Sequence, residues 1–447
     1  MTRAQLAEQG ACLPKPVASE SGRPKSVPST QLFSETGWVG AQDWARVLSR
    51  YALGVHRRAK AEHHAASPLG AWLIPALCAG AAQGRVRDEL GRALGVDPKE
   101  AFAHALGLLG GPHPVVGCGI GLFGRGVADG DRLSTLRHVL PSLVAIGEIP
   151  NAAALDAWVA ARSFGLIDHV PVDLDSRTAV LMLGLLATKV SWSRPFEVVS
   201  GSTLGRSSPW SLDHVLRAPI GDARHRSFIA IHERVGDLAV HLAQARGGLV
   251  VGCVLGAADV PALEILAAAH DVVIAEVHAA GSVARRSLFD LALGEGPMWT
   301  ITEQEGQTSV ADGREERCVA LLPAWSARSV IDLDGPELGF SSAASTLADL
   351  LGLKTERSRA CQGVVARYGA VGFEAGAVSA LATLLRAPLG RRGRWRVAKL
   401  RFGYPFAVVA VTTTDESDPG ASETTKRWQG LPVFSAWITS PEEPGAG

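Results

Sequence analysis

The sequence predicts an α+β fold, and three observations predict it. From about residue 40 the apolar pattern switches repeatedly between helical and strand periodicity, no Pro-, Gly- or Ser-rich linker interrupts it, and no internal repeat divides it. Length alone, 447 residues, allows two or three domains, but this continuity favours a single domain over 41–447. With 47% hydrophobic and 20% charged residues the chain can bury a large core.

Residues 1–40 are rich in Ser, Pro, Gly and charge and read as a flexible N-terminal tail. The spacing of Trp44, Val47, Leu48, Tyr51 and Leu53 predicts a helix over 44–60. The stretch "SPLGAWLIPALCAGAAQGRVRDELGRALG" follows as one long small-residue helix opening at Ser67-Pro68. "ALDAWVAARSFGLIDHVP" reads as a helix and "TAVLMLGLLATKVSWSRPF" as a buried strand. Between about 200 and 300, "GLVVGCVLG" and "DVVIAEVHA" read as short strands around the helical "VPALEILAAAH". "STLADLLGLKTERS" is one more helix. The C-terminus closes with strands in "FAVVAVTTT" and "PVFSAWITSP", separated by a polar turn at Asp418-Pro419-Gly420.

Composition excludes several functions. The 44 basic and 44 acidic residues give a formal net charge of +0, so the whole chain has no pull toward nucleic acid or a membrane surface. Six scattered cysteines without a CxxC argue for reduced thiols rather than a disulfide framework or a zinc knuckle. No apolar signal region and no run of ~18 apolar residues is present, which predicts a cytoplasmic address, with secretion by another route left open.

"GIGLFG" matches GxGxxG but is followed by a turn rather than a helix opening, and reads as a Gly-rich strand. His63 and His64 are adjacent, without a third ligand at helical spacing, and read as a solvated helix end. With no GxSxG and no HExxH, the sequence assigns no catalytic, cofactor-binding or metal-binding residue, and the expectation is a protein that is not an enzyme.

Four segments together resemble the serpin family. They are "LDAWVAARSFGLI" (Trp158, Val159, Ser163, Gly165, Ile167), "ATKVSWSRPF" (Lys189, Trp192, Pro195, Phe196), "FGYPFAVVAV" (Phe402, Pro405, Phe406) and "PVFSAWITSP" ending in Pro441. "SPLGAW" and "LADLLGL" fall in the family's order, so the resemblance spans nearly the whole chain from about residue 40 and marks a divergent, bacterial-type member. Val190 departs from it, standing where the family has Gly. The resemblance implies helices around a large, mainly antiparallel central sheet with smaller sheets and an exposed reactive-centre loop, here about 374–398. It also implies a monomer that traps a target serine protease as a covalent acyl complex, its cut loop inserting into the central sheet from a metastable native fold. Lys189 and Trp192 stand in the family's sheet-opening region.

The family's hinge, Glu followed by Gly and small residues, is similar to Glu374, Gly376, Ala377, Ser379, Ala380, Ala382 and Thr383. From the residues alone "AVSALATLLRA" also has good helix propensity, while Ala377, Ser379, Leu381, Thr383 and Leu385 form one face of a period-two strand. The family's spacing places the scissile bond near Gly390-Arg391, with Arg391, Arg392 or Arg394 preceding the cut and suiting a trypsin-like or subtilisin-like protease of basic specificity. Bulky Val378 and Leu381, and Pro388, leave a non-inhibitory serpin as an alternative. A second alternative is a polyanion-binding module: Arg386, Arg391, Arg392, Arg394, Arg396, Lys399 and Arg401 cluster without an acidic residue, with Trp395 among them.

Overall fold

The structure is a computed structural model and describes residues 41–127, 134, 137–138, 140–169, 178–308, 310–353, 358–373, 391–414 and 426–444, all within a unit spanning Gly40–Gly447. Its first half contains α1 (Ala41–Ala59), β1 (His64–Ala66), α2 (Pro68–Ala79), α3 (Gly84–Leu94), α4 (Pro98–Gly110), β2 (Val116–Gly124), β3 (Val144–Glu148), α5 (Ala152–Arg162), β4 (Val180–Thr188), β5 (Val190–Ser191), β6 (Glu197–Ser200) and β7 (His214–Arg217). The second half contains β8 (His225–His232), β9 (Gly236–Ala245), β10 (Leu249–Leu255), α6 (Ala262–His278), β11 (Gly294–Glu295), β12 (Trp299–Thr308), β13 (Arg314–Leu322) and β14 (Trp325–Asp332). There follow α7 (Phe340–Leu351), β15 (Ser358–Tyr368), β16 (Gly372–Phe373), β17 (Arg391–Arg401), β18 (Phe406–Thr412) and β19 (Pro432–Ile438).

The strands form three sheets. The central one runs β3-β2-β4-β15-β16-β5, with β14 on the free edge of β15; a second runs β1-β19-β18-β10-β9-β8, and a third β11-β12-β17-β13-β7-β6. Apolar runs account for the buried strands. Every residue of β4, β18 and β19 is buried, as continuous Val, Leu and Ala runs require when both faces are covered. Helix α2, buried along its whole length, packs on β4, where Gly184 meets the backbone of Gly70 so closely that a Cβ would lie 2.6 Å from its carbonyl oxygen. Among the described residues no helix is long and apolar enough to cross a membrane.

Three local expectations are corrected. The single helix expected from Ser67 to Gly95 is two, α2 and α3. Phe102 packs against Gly80, and the chain turns through Gly84 at φ +51°, a left-handed value that glycine adopts without strain. "DVVIAEVHA" is no strand: its first eight residues form the last turns of α6, because Val272 and Val273 pack across the apolar face of the second sheet. The GxGxxG stretch lies in β2, as read, and its glycines admit neighbours: a Cβ on Gly119 would meet the Arg162 side chain at 2.5 Å. His64 is not solvated. It is buried in β1, which pairs with β19, and His63 accepts from the backbone N–H groups of Thr439 and Ser440.

Candidate functional site

Two neighbouring strands of the central sheet define the site. β4 and β15 run parallel and pair over only four positions, Val180 with Ser358 through Leu183 with Cys361. Beyond them both strands continue with their outer ladders intact: β4 pairs with β2 as far as Thr188, and β15 pairs with β14 as far as Tyr368. Residues 184–188 and 362–368 therefore flank a seam across which no ladder forms, and the buried Thr188 Oγ1 there has no hydrogen-bond partner among the described residues. Helix α5 lies over the start of the seam. Val159 and Ile167 pack on Leu185, and a void of about 20 Å³ remains between the helix and the two strands. The Ser163-Gly165-Ile167 motif ends that helix: Ser163 Oγ accepts from the Ile167 backbone N–H, and Phe164 and Gly165 both take positive φ.

Trp192 closes the far end. It is 1% exposed, its backbone N–H donates to Val371 O and its indole Nε1 donates to Gly369 O at 2.9 Å, tying the chain after β4 to the turn after β15. Its ring packs with Tyr368 and Phe196, and Tyr368 stacks on Trp325. Two buried histidines complete this cluster. His225 and His241 stack on one another at 5.4 Å beside Phe196, and burial pushes both rings below the usual imidazole range. Lys189, by contrast, is exposed. Between β5 and the end of β15 sits β16. Phe373 pairs with Tyr368 on one side and with Val190 on the other, and Gly372 approaches β5 so closely that a Cβ would lie 2.4 Å from Val190 O.

The chain that leaves Phe373 returns at Arg391 in a different sheet. Glu374, Gly376, Ala377, Ser379, Ala380, Ala382, Thr383 and Gly390 lie outside the described residues. The expected loop boundary near 398 is corrected: Arg391, Arg392 and Arg394 begin β17, which pairs antiparallel with β12 over ten positions and parallel with β13 over eight. A strand with both edges paired cannot present an extended backbone to a protease cleft without leaving its sheet.

The basic cluster is partly neutralised from across the sheet. Arg396 Nε donates to Glu303 Oε2 at 2.8 Å, Arg394 lies 3.7 Å from the other oxygen of the same carboxylate, and the buried Arg401 pairs with Glu295. The guanidinium of Arg317 covers the Trp395 ring at 3.9 Å. Sequence reasoning missed these acids because they stand about a hundred residues upstream. Among the described residues no cluster of His, Cys, Asp or Glu is placed to hold a metal ion.

The chain matches no protein-family model, and no curated protein matches it in sequence. Solved structures do match. Human thyroxine-binding globulin, solved with thyroxine, superposes with a TM-score of 0.60 at 13% identity, covering 90% of this chain and 100% of that one. Serpin48 of the insect Tenebrio molitor gives 0.58 at 14% identity over 91% and 100%, and the thermophilic serpin tengpin in its native state gives 0.60 at 12% over 89% and 94%. The fold is that of the serpins.

Proposed function

We propose that this chain is a serpin that inhibits a serine protease as a suicide substrate, with 374–390 as its reactive loop. One observation carries the reading: β16 already lies between the ends of β15 and β5, antiparallel to both, at the mouth of a seam whose two walls keep only their outer ladders. An arm continuing from Phe373 in that direction enters between β4 and β15 antiparallel to each, and every residue that enters gains ladder hydrogen bonds and apolar burial. The downstream arm stays in the third sheet with β17. Cutting the connection is thus what lets the two arms part, and the free energy of the filled seam is available only after cleavage.

The pairing of β17 favours a cut before Arg391. Within 374–390 the only basic residue is Arg386, so a trypsin-like protease would cleave Arg386-Ala387, whereas the family's spacing puts the bond at Gly390-Arg391. Incubation with trypsin near equimolar ratio tests the inhibitory reading at the first of these bonds. A covalent complex surviving denaturing electrophoresis is the expected result, with a released C-terminal peptide beginning at Ala387. Clean cleavage without that complex would overturn inhibition and leave the second reading, a non-inhibitory serpin-fold protein. The thyroxine-bound globulin supports keeping that reading, since it shares this fold while holding a small molecule.

A further inference from the structure

The face of the second sheet that carries α6 is longer than the helix. Phe228 and Ala230 of β8, Leu238, Val240 and Leu242 of β9, Val254 of β10 and Ala407, Val409 and Val411 of β18 all point into the core beneath α6. The same alternation carried past the helix end places Arg226, Gln244 and Arg246 on that face. In register, Gln244 stands opposite Val250, and its backbone N–H donates to Arg224 O; the Thr413 N–H donates to Gly248 O, which brings the end of β18 alongside. A cleft of about 1050 Å³ opens there, lined also by Ser193, Thr414, Val277 and Ala280.

The charges in this cleft are unevenly matched. Glu276 is 1% exposed and holds Arg226 at 2.7 Å and Arg285 at 3.1 Å, so that carboxylate is already doubly paired. Arg224 and Arg246 are exposed, and among the described residues neither guanidinium has a carboxylate partner. Two unpaired planar forks, a third fixed on the wall, and hydroxyls and an amide between them form a set of donors suited to tetrahedral oxyanions separated by a polar spacer. Among the described residues the lining has no aromatic ring on which a nucleobase could stack.

From these groups we infer that the cleft beyond α6 is a binding site for a small multiply phosphorylated molecule, a pyrophosphate or phosphorylated polyol, with Arg224 and Arg246 as its principal contacts. The site borders the chain segment that carries Trp192, since Ser193 lines it. Ser193 N donates to Gln244 O at 2.9 Å and Arg246 N to Ser191 O at 2.9 Å, so its wall is the segment that fixes Trp192.

Titration of the full chain with pyrophosphate by calorimetry, with orthophosphate as the single-anion control, tests the assignment. The expected result is tighter binding of pyrophosphate, an affinity that falls as salt rises from about 50 to about 200 mM, and a melting temperature raised by the ligand. The double variant Arg224→Gln/Arg246→Gln removes only exposed side chains and should weaken binding about tenfold or more. Arg392→Gln, in the basic strand of the third sheet, should leave it unchanged. No binding to wild type, equal binding to the double variant, or loss with Arg392→Gln instead would each overturn the assignment.

Discussion

Glu303 of β12 accepts a hydrogen bond from Arg396 of β17 at 2.8 Å, and the two residues face each other directly in the ladder between those strands. Arg396 also donates through Nη1 to the carbonyls of Leu288 and Leu291, and its guanidinium lies over the Phe289 ring. One arginine thus fastens the strand after the loop to β12 and to the segment before it. The flanking arginines hold Glu303 below the usual carboxylate range.

Glu303→Gln should loosen that fastening while keeping the shape of the side chain. The amide still accepts a hydrogen bond but offers Arg394 and Arg396 no charge. The expected outcome is several-fold faster tryptic cleavage after Arg392 or Arg394 in the uncut protein, followed by mass spectrometry, with little change in cleavage elsewhere. Unchanged cleavage at these sites would mean that the backbone ladders alone hold the strand.

The contrast between β18 and β17 shows what the sequence could disclose. β18 is a run of seven buried residues whose composition already identifies a strand covered on both faces. β17 is charged, and half of what makes it a strand is the acidic edge of β12, which no local pattern announces. Its Gly393 resembles a turn residue, yet it is glycine because a Cβ would lie 2.3 Å from Thr308 Cγ2 and 2.4 Å from Gly313 O. Of the candidate site, Trp192 was legible through its flanking motif. The parting of β4 and β15 was not, because it is a relation between strands more than 170 residues apart, and each strand alone reads as an ordinary buried run.

Trp192→Phe removes the indole donor to Gly369 O and part of a buried ring, which should cost about 2 kcal/mol through the cavity and the orphaned carbonyl. The loss belongs to the uncut form, in which Trp192 ties the end of β4 to the turn after β15. Melting of uncut and loop-cleaved protein separates the cases. A lower melting temperature in the uncut form, with a much smaller change in the cleaved one, is expected. Equal losses in both would make Trp192 an ordinary core residue.

Acid should destabilise the fold through its buried histidines. His56 Nδ1 lies 2.7 Å from His64 Nε2, its Nε2 lies 2.7 Å from Ser435 Oγ, and His64 Nδ1 lies 2.7 Å from Glu62 O. If His64 donates to that carbonyl, His56 donates to His64 and accepts from Ser435, so every ring nitrogen in the relay is used with both rings neutral. Burial, with His64 and His270 nearby, pushes His56 well down, and burial lowers His270 and, with Arg427, His104 to about 4. The unfolded chain, with imidazoles near 6.5, binds protons that these folded rings refuse. Stability is therefore full above about pH 7 and lost as the pH falls from about 6.5 towards about 4, with His104 and His270 each contributing about 3 kcal/mol. Denaturant unfolding across that range checks this: His270→Gln should reduce the slope by up to about 1.4 kcal/mol per pH unit, and an unchanged slope would exclude His270 as a source.

The inhibitory reading requires the arm after Phe373 to pass between β4 and β15, and that passage can be blocked without altering either wall. An arm in the seam is a central strand. Successive side chains face opposite sides of the sheet, and each N–H meets a ladder carbonyl on one neighbour or the other. Ala377→Arg puts a guanidinium where burial offers it no counter-charge, and Ser379→Pro removes a ladder donor at the same early stage of entry. Both variants should melt like wild type before cleavage and should be cut by trypsin at the same bond. The covalent complex should fall to a small fraction of the wild-type yield, because deacylation overtakes insertion once entry is slowed, and the cleaved variants should lack the rise in melting temperature expected of the cleaved wild type. Full complex formation by either variant would mean that the seam between β4 and β15 is not where the loop goes.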